Sequence, residues 1–253
     1  MKENDQSSPI LEVKHLKKSF GGKVLHKDIN FQLNKGETLA LLGGSGTGKS
    51  VLLRSLIGLE DIDSGEIIYH NSPIQNSNEN QWNQIRKELS YSFQSGALFD
   101  SLTVYENLSY PLREHTKMKH EEIDQKVSTI LEKIDLPNKG HLMPADLSGG
   151  MQKRIGMARS IMLDPEIVLF DEPTAGLDPK NKYNIINLIK DLKKNGLTSI
   201  FVSHDIPSTL ELCDRILVLS DGIILFSGNR EDFLNSQNKV IQNFIMTEQE
   251  SLC

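Results

Sequence analysis

Apolar runs and polar punctuation alternate along this chain, and the period of each run predicts its form. Leu11-Glu12-Val13 begins a strand, and Phe20-Gly21-Gly22-Lys23 carries a turn. Ile29, Phe31 and Leu33 alternate with Asn30 and Gln32, the pattern of a half-buried strand. Asn34 to Glu37 turns the chain into Thr38-Leu39-Ala40-Leu41-Leu42, a short apolar run. The first forty residues thus predict antiparallel sheet beside a core. Ile67-Ile68-Tyr69 is a further strand, and the asparagine-rich stretch from Asn71 to Gln84 reads as an exposed connection. Leu89 to Phe93 is the next strand, ended by Gln94.

Beyond Ser95 the period turns helical. Ile123, Val127, Ile130, Leu131 and Ile134 share one face, and Pro111, Pro137 and Pro144 divide the segments. A helix through Ile155, Ala158 and Ile161 ends at Pro165. Ile167-Val168-Leu169-Phe170 is apolar at every position, as in a parallel strand buried on both faces. Asp178-Pro179 is an N-cap followed by proline at the first helical position. That helix turns Ile185, Ile189 and Leu192 inward and closes near Gly196. Thr198 to Val202 is another buried strand. Ile216–Leu219 and Ile223–Phe226 flank Ser220-Asp221-Gly222 as a hairpin, and short helices finish the chain.

Composition narrows the classes. The 253 residues, 38% hydrophobic and 25% charged, suit one large α/β domain or two small ones. A net charge of −6 gives no general attraction to nucleic acid or anionic lipid, although a local basic patch stays open. The two cysteines, Cys213 and Cys253, form no disulfide framework, and Cys213 reads as a small buried residue. No run of 18 apolar residues exists, so membrane work is expected only through a partner. Residues 1–9 read as a disordered tail without a signal peptide.

The chemistry begins at Gly43-Gly44-Ser45-Gly46-Thr47-Gly48-Lys49-Ser50, which fits G-x-x-x-x-G-K-[ST] between a strand and a helix beginning at Val51. Glycines let backbone N–H groups turn inward around phosphate, and the helix terminus adds positive potential. Lys49 would reach the β- and γ-phosphates, and the Ser50 hydroxyl would ligate Mg²⁺. Asp171-Glu172 ends an apolar strand, the edge where open α/β sheets bind ligands; alone, the pair could equally cap a turn. Leu147-Ser148-Gly149-Gly150-Met151-Gln152 opens a helix and offers hydroxyl, N–H groups and dipole to an anion, or is a simple cap. Gln94 and His204 stand just past strand ends, where each alone would read as structural.

In this order the stretches resemble the ATP-binding subunit of ABC transporters, over about Ile10 to Gly228. The resemblance implies a P-loop NTPase (RecA-like) α/β core with a mainly parallel sheet, an N-terminal antiparallel β subdomain and an inserted helical subdomain at about 95–158. The ATPase domain would span 10–238, with 239–253 as a C-terminal tail that packs on a partner or caps the domain. Gly43 to Ser50 corresponds to Walker A, with Val51 following, and Gln94 to the Q-loop glutamine. Ser148, Gly149, Gly150 and Gln152 belong to the signature, and Ile167 to Asp171 is Walker B. Glu172 is the catalytic glutamate, Ala175-Gly176-Leu177-Asp178 the D-loop and His204 the switch histidine. Phe20 stands where such proteins set an aromatic against adenine, though a buried strand residue is an equal reading of it.

The resemblance implies ATP and Mg²⁺ as cofactors, with the metal held near Ser50, Gln94 and Asp171. It implies catalysis by Glu172, His204, Lys49 and Gln94. Two ATPase subunits, most simply two copies, would sandwich ATP between one phosphate loop and the other's Ser148 to Gly150. Transmembrane permease subunits would place the chain on the cytoplasmic face of the inner membrane. Phe93 to Phe99, Leu102 to Leu108 and Tyr110 to Thr116, with Ser203-His204-Asp205-Ile206-Pro207, resemble the ATPase of MCE-associated, Mla-type lipid transporters. An MCE-domain lipid-binding protein is then a further partner. Importers or exporters of amino acids or ions are the alternative. A ribosome- or DNA-directed ATPase fits less well, because the chain has neither a second ATPase core nor a long coiled coil, and no basic footprint.

Overall fold

A computed structural model describes residues 8–250; most of the expected N-terminal tail, residues 1–7, and the last residues, 251–253, lie outside the described residues. The strands are β1 (Leu11–Phe20), β2 (Lys23–Leu33), β3 (Thr38–Gly43), β4 (Ser64–Tyr69), β5 (Ser72–Pro73), β6 (Leu89–Ser92), β7 (Ile167–Asp171), β8 (Thr198–Val202), β9 (Arg215–Ser220) and β10 (Ile223–Gly228). The helices are α1 (Lys49–Leu56), α2 (Glu79–Glu88), α3 (Val104–His115), α4 (His120–Lys133), α5 (Gly149–Ser160), α6 (Pro179–Lys194), α7 (Ile206–Leu212), α8 (Arg230–Leu234) and α9 (Lys239–Glu250).

One ten-stranded order joins them: β5-β4-β1-β2-β10-β9-β3-β8-β7-β6. From β9 to β6 every neighbour is parallel, whereas β1 pairs antiparallel with both β2 and β4. The α/β class, the parallel core and the antiparallel arm are as expected. The central strands are buried on both faces, which is why their sequences lack alternation. Leu39 and Leu41 of β3 join one apolar cluster, and Ala40 and Leu42 join another on the opposite face. In β7, Ile167 and Leu169 face the first cluster, while Val168 and Phe170 face the helices α3 to α6.

Two local expectations are corrected and one open alternative is decided. The stretch Asn71 to Gln84 is not a plain connection: it contains β5 and the start of α2, closed by a reciprocal Asn78–Gln81 capping box. Trp82 of this helix is buried against Gly58, where a Cβ would stand 2.2 Å from the indole. Pro111 does not divide two segments but lies inside α3. A second capping box, Thr103–Glu106, and the burial of Val104, Leu108 and Leu112 outweigh the one hydrogen bond a proline removes. Of the two readings left open for the C-terminal segment, the capping contact is present: Ile241 of α9 is buried beside Phe233, Ile206 and Val218, with Phe244 and Ile245 packed on the same cluster.

Candidate functional site

Strand order, not sequence order, assembles the site. The carboxyl ends of β3, β8, β7 and β6 are neighbours, so the phosphate loop, His204, Asp171–Glu172 and Gln94 fall on one sheet edge. Gly43 must be glycine there, since a Cβ would stand 2.6 Å from the Leu219 carbonyl. Gly46 (φ +74°) and Gly48 (φ +97°) hold the loop in the left-handed region that glycine tolerates. Gly48 is the N-cap of α1 and gives no side-chain cap, which leaves the first-turn N–H groups of Lys49, Ser50 and Val51 without the usual side-chain acceptor.

Lys49 is buried, and its Nζ donates to the carbonyls of Gly43 (2.8 Å) and Gly44 (3.0 Å). Burial lowers the Lys49 pKa, against the pull of Glu172 and Asp171. The Ser50 hydroxyl donates to Asp171 Oδ1 at 3.0 Å, and Tyr91 Oη donates to Asp171 Oδ2 at 2.5 Å. Glu172 is buried with φ +49°, a costly conformation for a side-chain-bearing residue and one that gathers at functional sites. Its Oε2 accepts the His204 N–H at 3.3 Å. Its Oε1 is 3.1 Å from His204 Nε2 but receives no aligned hydrogen bond. Burial raises the Glu172 pKa, with His204 and Lys49 pulling it back. His204 Nε2 is also 3.5 Å from Lys49 Nζ, so Lys49, Glu172 and His204 form one cluster.

The other expected residues lie around this cluster. Gln94 is exposed just past β6, and Ser45 and Thr47 lie in the loop, with Thr47 Oγ1 donating to the Gly44 carbonyl at 2.9 Å. Phe20 is 46% exposed at the end of β1, so the buried-strand reading of it fails; Lys18 Nζ lies 4.6 Å from its ring centroid. Ser148 caps α5 by accepting from Met151 N, and Ser148 and Gly149 face solvent. Gln152 donates to the Pro144 carbonyl at 2.8 Å, and Asp178 caps α6 through Asn181. Among the described residues, no hydrogen bond joins Ser148–Gln152 to the phosphate loop of the same chain.

The edge fits a nucleoside triphosphate with a hard divalent cation. It combines uncapped N–H groups, a buried ammonium and a Ser50–Asp171 oxygen pair of the kind such cations take. Sequence reading missed Tyr91, which occupies one Asp171 oxygen. No sequence signal marks it, since only the β6–β7 pairing, Ser92 beside Phe170, brings Tyr91 to Asp171. It also missed Lys153, which donates to the Ala175 carbonyl and so ties α5 to the turn before α6.

A family model described as "ABC transporter" matches residues 26–175. This chain belongs to the ABC transporter family. It is an ATP-hydrolysing subunit that uses ATP and Mg²⁺. It is 37% identical to the intermembrane phospholipid transport system ATP-binding protein MlaF of Haemophilus influenzae, over 95% of this chain and 92% of that protein. It is 38% identical to the spermidine/putrescine import ATP-binding protein PotA of Pasteurella multocida, over 97% of this chain but 65% of that protein. Among solved structures, a dimeric post-hydrolysis state of the ATP-binding cassette MJ0796, bound to ADP and Pi, superposes with a TM-score of 0.81 at 29% identity. That likeness covers 87% of this chain and 98% of the other.

Proposed function

We propose that this ATPase powers lipid transport between the inner and outer membranes, as one of two copies beneath transmembrane permease subunits and an MCE-domain lipid-binding protein. The observation that supports this most is the length-matched likeness to an intermembrane phospholipid transport ATPase, 92% of which is covered. The polyamine importer relative extends well beyond the match. The chain would sit on the cytoplasmic face of the inner membrane and reach it only through partners; no helix among the described residues is long and apolar enough to cross one. The domain reading is an ATPase body over 10–238, with the helical part at about 95–158 presented to the permease.

In the reaction, ATP supplies the γ-phosphoryl group and Mg²⁺ the charge that steadies its oxygens. The loop N–H groups and Lys49 hold the phosphates, with Ser50, Asp171 and Gln94 set for the metal. Glu172, strained and with Oε1 unoccupied, orients the attacking water and takes its proton, a contribution of about 10²–10⁴-fold. His204, 3.1 Å from that oxygen, holds the γ-phosphate side. Phosphoryl transfer depends mainly on such positioning and charge stabilisation. Ser148 and Gly149, exposed and with Gly150 buried behind them, are remote in hydrogen bonding from their own loop and complete the partner copy's site. Phe20 offers its exposed ring to adenine.

Purifying the native complex from membranes and identifying its subunits and bound lipids tests the cargo. A multi-span permease with an MCE-domain protein and phospholipid is expected. A soluble solute-binding protein in their place overturns lipid transport and leaves the ATPase assignment standing.

A further inference from the structure

Beneath the phosphate loop lies a polar side chain that the proposed chemistry does not use. His26 of β2 is fully buried, and neither Nδ1 nor Nε2 has a hydrogen-bond partner. It touches the loop directly: a Cβ built on Gly48 would stand 2.5 Å from His26 Nε2 and 2.8 Å from the Leu25 side chain. Gly48 therefore rests on these two residues while holding φ +97° at the N-cap of α1. Burial lowers the imidazole pKa; the Gly48 backbone comes within hydrogen-bonding influence of the ring and pulls it back, although no aligned hydrogen bond forms, and Lys18 adds to the lowering. The ring is thus favoured in its neutral form, which carries one N–H donor and one acceptor nitrogen.

An orphaned buried polar group is costly, and a phenyl or leucyl side chain would fill the same space without that cost. The orphan also lies where the loop has to change. Lys49 Nζ is held by the Gly43 and Gly44 carbonyls, and Thr47 also donates to Gly44. To reach phosphate oxygens Lys49 Nζ would leave those carbonyls, and Gly48, the residue before it, is the one in contact with the ring.

We propose that His26 is a positioning residue for ATP: its ring hydrogen-bonds the Gly48 backbone when nucleotide is bound and so holds the loop in its binding geometry. It touches neither nucleotide nor reacting atoms and acts through Gly48. The proposal rests on residues 43–50 being the nucleotide loop and is independent of the cargo.

The test uses the full chain and MgATP, with His26→Phe, His26→Leu and His26→Gln beside Lys49→Met. The Phe and Leu variants are expected to keep or raise the melting temperature without nucleotide. Their Kd and KM for ATP rise about 3- to 10-fold, the worth of one hydrogen bond, and kcat changes less than KM. Gln, which retains a polar terminus, recovers part of the affinity. In the wild-type chain the His26 ring ¹⁵N resonances shift on MgATP binding toward those of a hydrogen-bonded imidazole. Phe and Leu variants that bind ATP as tightly as wild type overturn the proposal, as do ring resonances that ignore nucleotide. Affinity lost only in step with melting temperature, and not recovered by Gln, marks a packing role and overturns it equally. If Lys49→Met also leaves binding intact, the loop assignment itself fails; if Lys49→Met abolishes binding and the His26 variants do not weaken it, only the His26 role fails.

Discussion

At the carboxyl edge of the sheet, Lys49, Asp171 and Glu172 are charged and buried, Glu172 holds a left-handed backbone, and one of its oxygens accepts no aligned hydrogen bond. The surface after Gln94 is built the other way. There Asn107 is fully buried with its amide engaged: Oδ1 accepts from Phe99 N at 2.8 Å and from Arg159 at 3.2 Å, and Nδ2 donates among the carbonyls of Phe99, Leu102 and Thr103. Arg159 adds a bond to the Ala97 carbonyl, and Gly156 lies so close to Gly96 that a Cβ would stand 2.3 Å from its Cα. This well-bonded frame presents Phe93, Phe99 and Tyr110 to solvent, 41%, 45% and 38% exposed, with the last two rings 5.2 Å apart. The first region gives up stability for reactive groups. The second uses stability to hold apolar rings outward, a surface that suits a partner.

Breaking the first region is expected to have the largest effect. Lys49→Met removes the buried ammonium proposed to hold the phosphates, and turnover should fall about 10²–10³-fold in a steady-state ATPase assay. Melting temperature should not fall with it, because the buried ammonium is itself a cost. In the second region the order reverses. Asn107→Ala orphans several backbone groups at once, worth about 2–4 kcal/mol, and calorimetry should show Tm lower by about 5–10 °C.

A milder change separates the frame from the rings it carries. Phe99→Ser with Tyr110→Ser should leave Tm within about 2 °C, since both rings are already exposed, yet weaken co-purification with membrane subunits about tenfold, the scale of an aromatic contact at an interface. Full co-purification would remove the docking role from this face. The smallest effect is on pH dependence. As the proposed base Glu172 must be ionised, and burial raises its pKa above the ordinary glutamate value. The kcat/KM profile should therefore lose activity on the acid side, at a midpoint above the ordinary glutamate range.

Much of this contrast was legible in the sequence. The phosphate loop, Asp171-Glu172, Ser148 to Gly150 and His204 announce themselves by residue type and by position at strand or helix ends. What was not legible depends on non-local pairing. Nothing in the order of residues says that β3 lies between β8 and β9, yet that order alone brings His204 and Glu172 to Lys49. Tyr91 reaches Asp171 and His26 reaches Gly48 only through packing between distant segments. The helix α2 was hidden by its polar composition, although Asn78 and Gln81 three residues apart were a capping signal and Trp82 an anchor. Pro111 misled because propensity is local, whereas the burial of Leu108 and Leu112 is not.

In this reading the strain and desolvation at Glu172 serve chemistry rather than folding. Measuring Tm and ATP turnover together in Glu172→Gln tests it most directly. A raised carboxyl pKa means that the folded state holds its proton longer than the unfolded chain, so the stability this group contributes at low pH is lost as pH rises through the folded value. At neutral pH the uncharged amide avoids that loss. The expected variant binds ATP, melts higher than wild type and turns over at least about 100-fold more slowly, as removal of a general base implies. A variant that melts lower, or that hydrolyses ATP at near wild-type rate, would contradict it.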